Sequence, residues 1–147
     1  MLEGLRSDWR LVVDARDRLV AALRAVGPEA PSLCAGWAAS DLVAHLLVLQ
    51  RDPIAWPGIG WARFTDLTER RMRGALRGGY AAAVERLASR SAVIWAMPDD
   101  PLQGFRHQLG EYAVHTEDVV RANGLPPTTV DAATSDALWV RAVVSAR

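Results

Sequence analysis

Apolar residues recur at intervals of three and four through most of this chain, and glycine and proline cut the pattern into segments. Strand-like alternation is almost absent. Without a period-two face there is nothing from which to build a sheet, so the expected fold is all-α, helix packed on helix.

Six helical segments follow from the punctuation. Over 4–26, Leu5, Trp9, Val12, Leu19, Leu23 and Val26 form one stripe, interrupted by Arg16, and Gly27-Pro28 ends it. PEAPSLCAGW at 28–37 reads as a loop. The second helix, 38–51, has Ser40 or Ala38 as its N-cap and Asp41 in its first turn, where a carboxylate suits the helix dipole. Its apolar set (Leu42, Val43, Leu46, Leu47, Leu49) is wide, which implies burial. Residues 52–60, with two prolines and two glycines, form a crossing loop. A third helix fits 62–77 through Phe64, Leu67, Met72, Ala75 and Leu76, closed by Gly78-Gly79. The remaining three fit 80–96, 105–123 and 131–146, the fifth stopped by Gly124 and Pro126-Pro127. Long helices with mostly short connections describe an up-and-down bundle, expected here as a single domain over 1–147.

Composition narrows the function. Half of the 147 residues are apolar, so the chain must pack a core. Seventeen basic residues, all arginine, balance seventeen acidic ones, and that neutrality argues against a nucleic-acid binder working by backbone electrostatics. The nearest basic cluster, Arg70-Arg71-x-Arg73, sits beside Glu69 and reads as a solvated helix face. The single cysteine, Cys34, cannot form an intrachain disulfide. Neither a signal-peptide core nor a membrane-length apolar run is present, so a cytoplasmic protein without membrane contact is expected.

No nucleophile elbow, P-loop or paired-cysteine motif occurs, which leaves three histidines as the chemical inventory. His45 lies between Leu42 and Leu49 on an inward stripe. Glu111 and His115, four residues apart, share one face of the fifth helix, and Asp118 continues it. A buried carboxylate needs a cation or donor to offset its desolvation, and a divalent metal would serve. Two imidazoles and a carboxylate are a familiar zinc ligand set that leaves one coordination position open. Taken separately, a Glu-x-x-x-His pair is more often a surface pair, and a lone inward histidine more often a hydrogen-bonded core residue. Taken together, they fit a metal site about equally well. His107 is read as exposed or rim-lining, Cys34 as a small buried hydrophobe, and Trp37 as a hydrophobic plug. Arg16 is either a rim residue or a partner of Asp118, with the rim favoured.

PSLCAGW at 31–37, Asp41-Leu42, His45-Leu46, RDPIAWPGI at 51–59, and Glu111-x-x-x-His115-Thr116-Glu117-Asp118-Val119 with Arg121-Ala122 resemble the mycothiol-dependent maleylpyruvate isomerase N-terminal family. More closely, they resemble its metal-binding relatives in the DinB/YfiT-like superfamily. The resemblance spans about residues 14–123. It implies a DinB-like bundle, a four-helix core with extra helices, holding a divalent metal, usually zinc, at His45, Glu111 and His115. It also implies mycothiol as co-substrate. Ala38 stands where relatives often carry a hydroxyl residue, Gln108 and Thr116 stand where they often have Asn and His, and Val120 replaces a commonly basic residue. The isomerase has a second domain that helps bind the substrate carboxylates; this chain, ending at Arg147, is read as shorter than its relatives.

The expected function is therefore a metal-dependent transferase or isomerase whose zinc activates a low-molecular-weight thiol for attack on an electrophilic small molecule. His107, Asp118 and Arg121 are expected beside the ligands or the substrate. The alternative is a non-catalytic metal-binding bundle that acts as a homodimer or partner-binding module, for which zero net charge and six tryptophans are the motive.

Overall fold

The computed structural model of the chain describes residues 2–55, 65–89 and 105–145, with side chains from Trp9 onward in the first stretch. Among these residues there are six α-helices and no strand: α1 (Leu2–Ala25), α2 (Ala39–Arg51), α3 (Thr65–Ala75), α4 (Tyr80–Ala88), α5 (Phe105–Ala122) and α6 (Ala132–Ser145). A short 3₁₀ turn, Pro53–Ala55, follows α2. The fold is all-α, as the periodicity requires. Phe64, the Gly58-Ile59-Gly60 stretch and the expected helical residues 90–96 lie outside the described residues.

The helices close on one core. Leu19, Leu23, Leu42, Val43, Leu87, Leu109 and Val119 are buried completely and belong to the same cluster. α1 packs along α5, α4 packs against both α1 and α2, α3 covers α2, and α6 covers α5. Each fully buried leucine contributes about 2 kcal/mol relative to exposure, so this cluster is the main source of stability.

Local chemistry sets the boundaries. Of the two candidate caps for α2, Ala38 occupies the position with no side-chain cap of its own, and the Asp41 carboxylate supplies the return half of a capping box by accepting the Ala38 backbone N–H at 2.9 Å. α4 ends at Ala88, earlier than its apolar pattern suggests. Ser89 is extended (φ −70°, ψ 142°) and its hydroxyl donates to the Arg86 carbonyl, a local bond that competes with the next helical turn. α5 ends in a Schellman motif: Leu125 N–H reaches the Val120 carbonyl at 3.0 Å, and Gly124 takes the left-handed φ of +61° that a side chain would resist. Asp131 caps α6 by accepting Thr134 N–H at 2.7 Å.

Two expectations for α1 are corrected. Trp9 is 42 % exposed and does not join the core stripe. Arg16 is buried instead of lying on the rim, and its partner is Asp17 at 2.9 Å, not Asp118. The neighbouring residue can turn its carboxylate back onto the guanidinium, which satisfies the charge at the core's edge.

Both tyrosines are locked in protonated form. Tyr80 donates to the Leu23 carbonyl at 2.8 Å, tying α4 to α1, and buried Gln50 donates to the Tyr112 hydroxyl. Burial pushes both phenols up to about 12. Unfolded tyrosine ionises near about 10. The folded value is the higher one, so this stabilisation is complete below pH 10 and is lost as pH rises through 12. Absorbance of the folded protein should show no tyrosinate up to about pH 11, while the chain in denaturant titrates near 10; half-ionisation near pH 10 in the folded state would refute the burial of both rings.

Candidate metal centre

A polar seam runs along α5 beside its apolar face. His107, Glu111, His115 and Asp118 follow one another at helical spacings of four, four and three, next to buried Gln108, Tyr112 and Thr116. His45 reaches this seam from α2, held by the burial of Leu42 and Leu49 on either side of it.

Glu111 is the hub. Its Oε2 lies 3.4 Å from His45 Nε2 and 3.5 Å from His115 Nε2, and its Oε1 lies 3.8 Å from His107 Nε2. The ligand atoms of His45, Glu111 and His115 all fall within 4.8 Å of one another. The His45 and His115 rings meet edge to face with centroids 5.5 Å apart. Burial alone would raise the Glu111 carboxyl, but the His115 and His45 rings that face it, with His107 beside them, outweigh burial and hold the group well below the usual carboxylate range. For His115 burial favours the neutral ring, and the carboxylates of Glu111 and Asp118 reverse that and push its pKa up.

The donor set fits a divalent metal. Bonds of about 2.0–2.1 Å in a tetrahedral site place neighbouring ligand atoms about 3.3 Å apart. The observed 3.4 and 3.5 Å match that edge, and both are longer than the usual hydrogen-bond range of about 2.7–3.2 Å.

The outer contacts decide which ring nitrogen is available. Asp118 Oδ2 lies 2.8 Å from His115 Nδ1 and accepts its N–H, so a metal that displaces the Nε2 proton would find the Nε2 lone pair facing Glu111. His107 is arranged the other way. The Arg141 guanidinium, which can only donate, reaches His107 Nδ1 at 3.0 Å, which puts the ring proton on Nε2, toward Glu111. His107 is therefore a neighbour of the Glu111 carboxylate, as one expectation had it, but it is buried and neither exposed nor on the rim. Its place four residues before Glu111 was a signal for this. Arg121 does not join the cluster: it is 70 % exposed and donates to Glu117 at 2.8 Å.

The residue that sequence reasoning missed is Cys34. Its thiol donates to Asp118 Oδ2 at 3.3 Å, and its sulfur lies 3.9 Å from His115 Nδ1. Burial and the Asp118 carboxylate both push the thiol's pKa up, so it stays protonated as a donor. The loop carrying it is pinned: Asn123, just past the end of α5, donates to the Pro31 carbonyl, Ser32 Oγ accepts Cys34 N–H and donates to the Trp37 carbonyl, and Gly36 turns the chain with φ +77°. The same loop brings the Trp37 ring to 5.2 Å from His45. Trp37 thus walls the centre and does more than plug the core.

A cavity of about 630 Å³ opens beside His45, lined by Trp37, Asp41, Met72 and Arg73. A second, of about 730 Å³, reaches Asp118 from the α1, α5 and α6 side. No described helix is long and apolar enough to cross a membrane. No protein-family model matches the chain, and comparison with curated proteins and with solved structures yields no match.

Proposed function

We propose that this chain holds a divalent metal, zinc, between His45, Glu111 and His115, and activates a low-molecular-weight thiol for attack on an electrophilic small molecule. The observation that carries the reading is the Glu111 carboxylate set at tetrahedral ligand spacing from two imidazole nitrogens. The motif resemblance to the DinB-like, mycothiol-dependent isomerase relatives supplies the reaction class and makes mycothiol the first thiol to test. When bound, zinc supplies Lewis acidity that favours the deprotonated form of a thiol or water.

The chain's own residues do the rest. Asp118 keeps the His115 tautomer and ring orientation, and Cys34 holds Asp118 in turn. His107, oriented by Arg141, directs its Nε2 proton at the remaining Glu111 oxygen. Trp37 packs beside the His45 ring and, with Met72 and Leu76, gives the adjoining cavity an apolar wall for substrate.

Two measurements test this. Reconstituted protein should carry one zinc per chain, and Asp118→Ala should bind it about 10- to 100-fold more weakly, the usual effect of removing a carboxylate behind a ligand histidine. The zinc form should transfer mycothiol to a model electrophile faster than the metal-free form. Substoichiometric zinc after reconstitution removes the metal centre from the proposal.

A second reading, a metal-bearing module that dimerises, is favoured by the outer face of α6, where Trp139 is 71 % exposed beside exposed Val140 and Val143. Thiol transfer no faster with metal than without, together with a dimer in sedimentation that Trp139→Ser dissociates, selects it.

A further inference from the structure

On the side of α2 covered by α3 and α4, five arginines surround a single cavity of about 370 Å³: Arg51, Arg70, Arg71, Arg77 and Arg86. Asp52 is the one acidic residue on its described lining. A chain with zero net charge thus gathers five of its seventeen arginines around one concave surface, against one aspartate. Like charges at this density repel, and an anion relieves them.

Three of the five guanidinium groups are already fixed. Arg86 donates to the backbone carbonyls of Arg77 (3.0 Å) and Ala75, so it fastens the α3–α4 turn. Arg51 donates to the Arg86 carbonyl at 2.7 Å and to Ser89 Oγ at 2.6 Å. Arg71 is held by Asp52 at 3.2 Å. The side chains of Arg70 and Arg77 make no ion pair among the described residues, whereas Arg73, one turn away, turns to Glu69. The cavity therefore combines a preset cationic rim with two uncommitted guanidinium forks.

We propose that this cavity binds the phosphate group of a small molecule, a phosphomonoester or a diphosphate. A carboxylate presents two oxygens and a single charge, while a phosphate presents three acceptor oxygens and up to two charges, which matches several forks at once. The site is concave and compact, which fits one or two phosphates better than an extended nucleic-acid backbone. It shares no lining residue with the cavity at His45. The assignment therefore stands or falls independently of the metal centre.

The test is calorimetric titration with inorganic phosphate, pyrophosphate, acetate and a twelve-residue single-stranded oligonucleotide. Wild type, Arg70→Ala/Arg77→Ala and His45→Ala proteins are compared. Pyrophosphate should bind more tightly than phosphate, acetate should bind at least tenfold more weakly than phosphate, and the double variant should lose at least tenfold for pyrophosphate. Both side chains are exposed and make no hydrogen bond or ion pair among the described residues, so the double variant should keep the wild-type unfolding midpoint. His45→Ala should bind pyrophosphate as wild type does. Equal affinity of wild type and double variant overturns the site. Loss of binding in His45→Ala overturns it by assigning the anion to the metal centre, and tighter binding of the oligonucleotide than of pyrophosphate overturns it in favour of nucleic acid.

Discussion

Glu111→Gln is expected to weaken zinc binding more than 100-fold while leaving the helices in place. Gln has the shape of Glu, so the α5 seam keeps its packing, and what disappears is the negative charge and the better ligand oxygen. In the native chain that carboxylate lies 3.4 and 3.5 Å from two imidazoles, already ionised and aimed. Removing a group that merely orients a ligand costs about 10- to 100-fold, so removing the charged ligand itself must exceed the upper end of that range, about 2.7 kcal/mol. Competition against a chromophoric chelator at neutral pH measures it, with Asp118→Ala as the intermediate case. An affinity for Glu111→Gln within threefold of wild type would mean that Glu111 is only a hydrogen-bond acceptor for the histidines, and the metal assignment would fail.

The helices were legible because their signals are local. Val12, Leu19 and Leu23 of the α1 stripe, the wide apolar face of α2 and the Gly124 stop of α5 each rest on local signals, and the structure bears them out, while Trp9 leaves the stripe. The end of α4 was not legible, because no glycine or proline marks it and a serine hydroxyl bonded to a carbonyl one turn back does the work. The site divides along the same line. His45, Glu111, His115 and Asp118 were found from spacing on two helices, and the structure brings all four together. His107 does lie beside the ligand set as expected, but it is buried and not on the rim, and the Arg141 that meets its ring comes thirty-four residues later. Cys34 was invisible, since nothing near it in the chain announces that a pinned loop carries its thiol to a carboxylate eighty-four residues away. The arginine cavity failed to show for a related reason: three separate helical segments each look like an ordinary solvated face, and only their packing joins them.

Leu42→Ala tests whether the core and the metal centre share one framework. Leu42 is fully buried in α2, one turn before His45 and on the same side of the helix. Truncating it removes apolar burial and leaves a cavity, a loss of about 2–5 kcal/mol for a core leucine, against a total stability of about 5–15 kcal/mol. The metal-free variant should therefore unfold at a markedly lower denaturant concentration with an unchanged slope. The proposed zinc, spanning α2 and α5, would act only on the folded state, so free metal at 100 times its Kd should restore about 2.7 kcal/mol. In the double variant Leu42→Ala/Glu111→Gln the same zinc concentration should restore almost nothing, because the ligand that joins the two helices is gone. Recovery of the double variant equal to that of Leu42→Ala alone would place the stabilising metal elsewhere on the protein. No recovery in Leu42→Ala would mean that His45 depends on this leucine for its position, and that the centre is assembled by the core instead of joining helices that are already set.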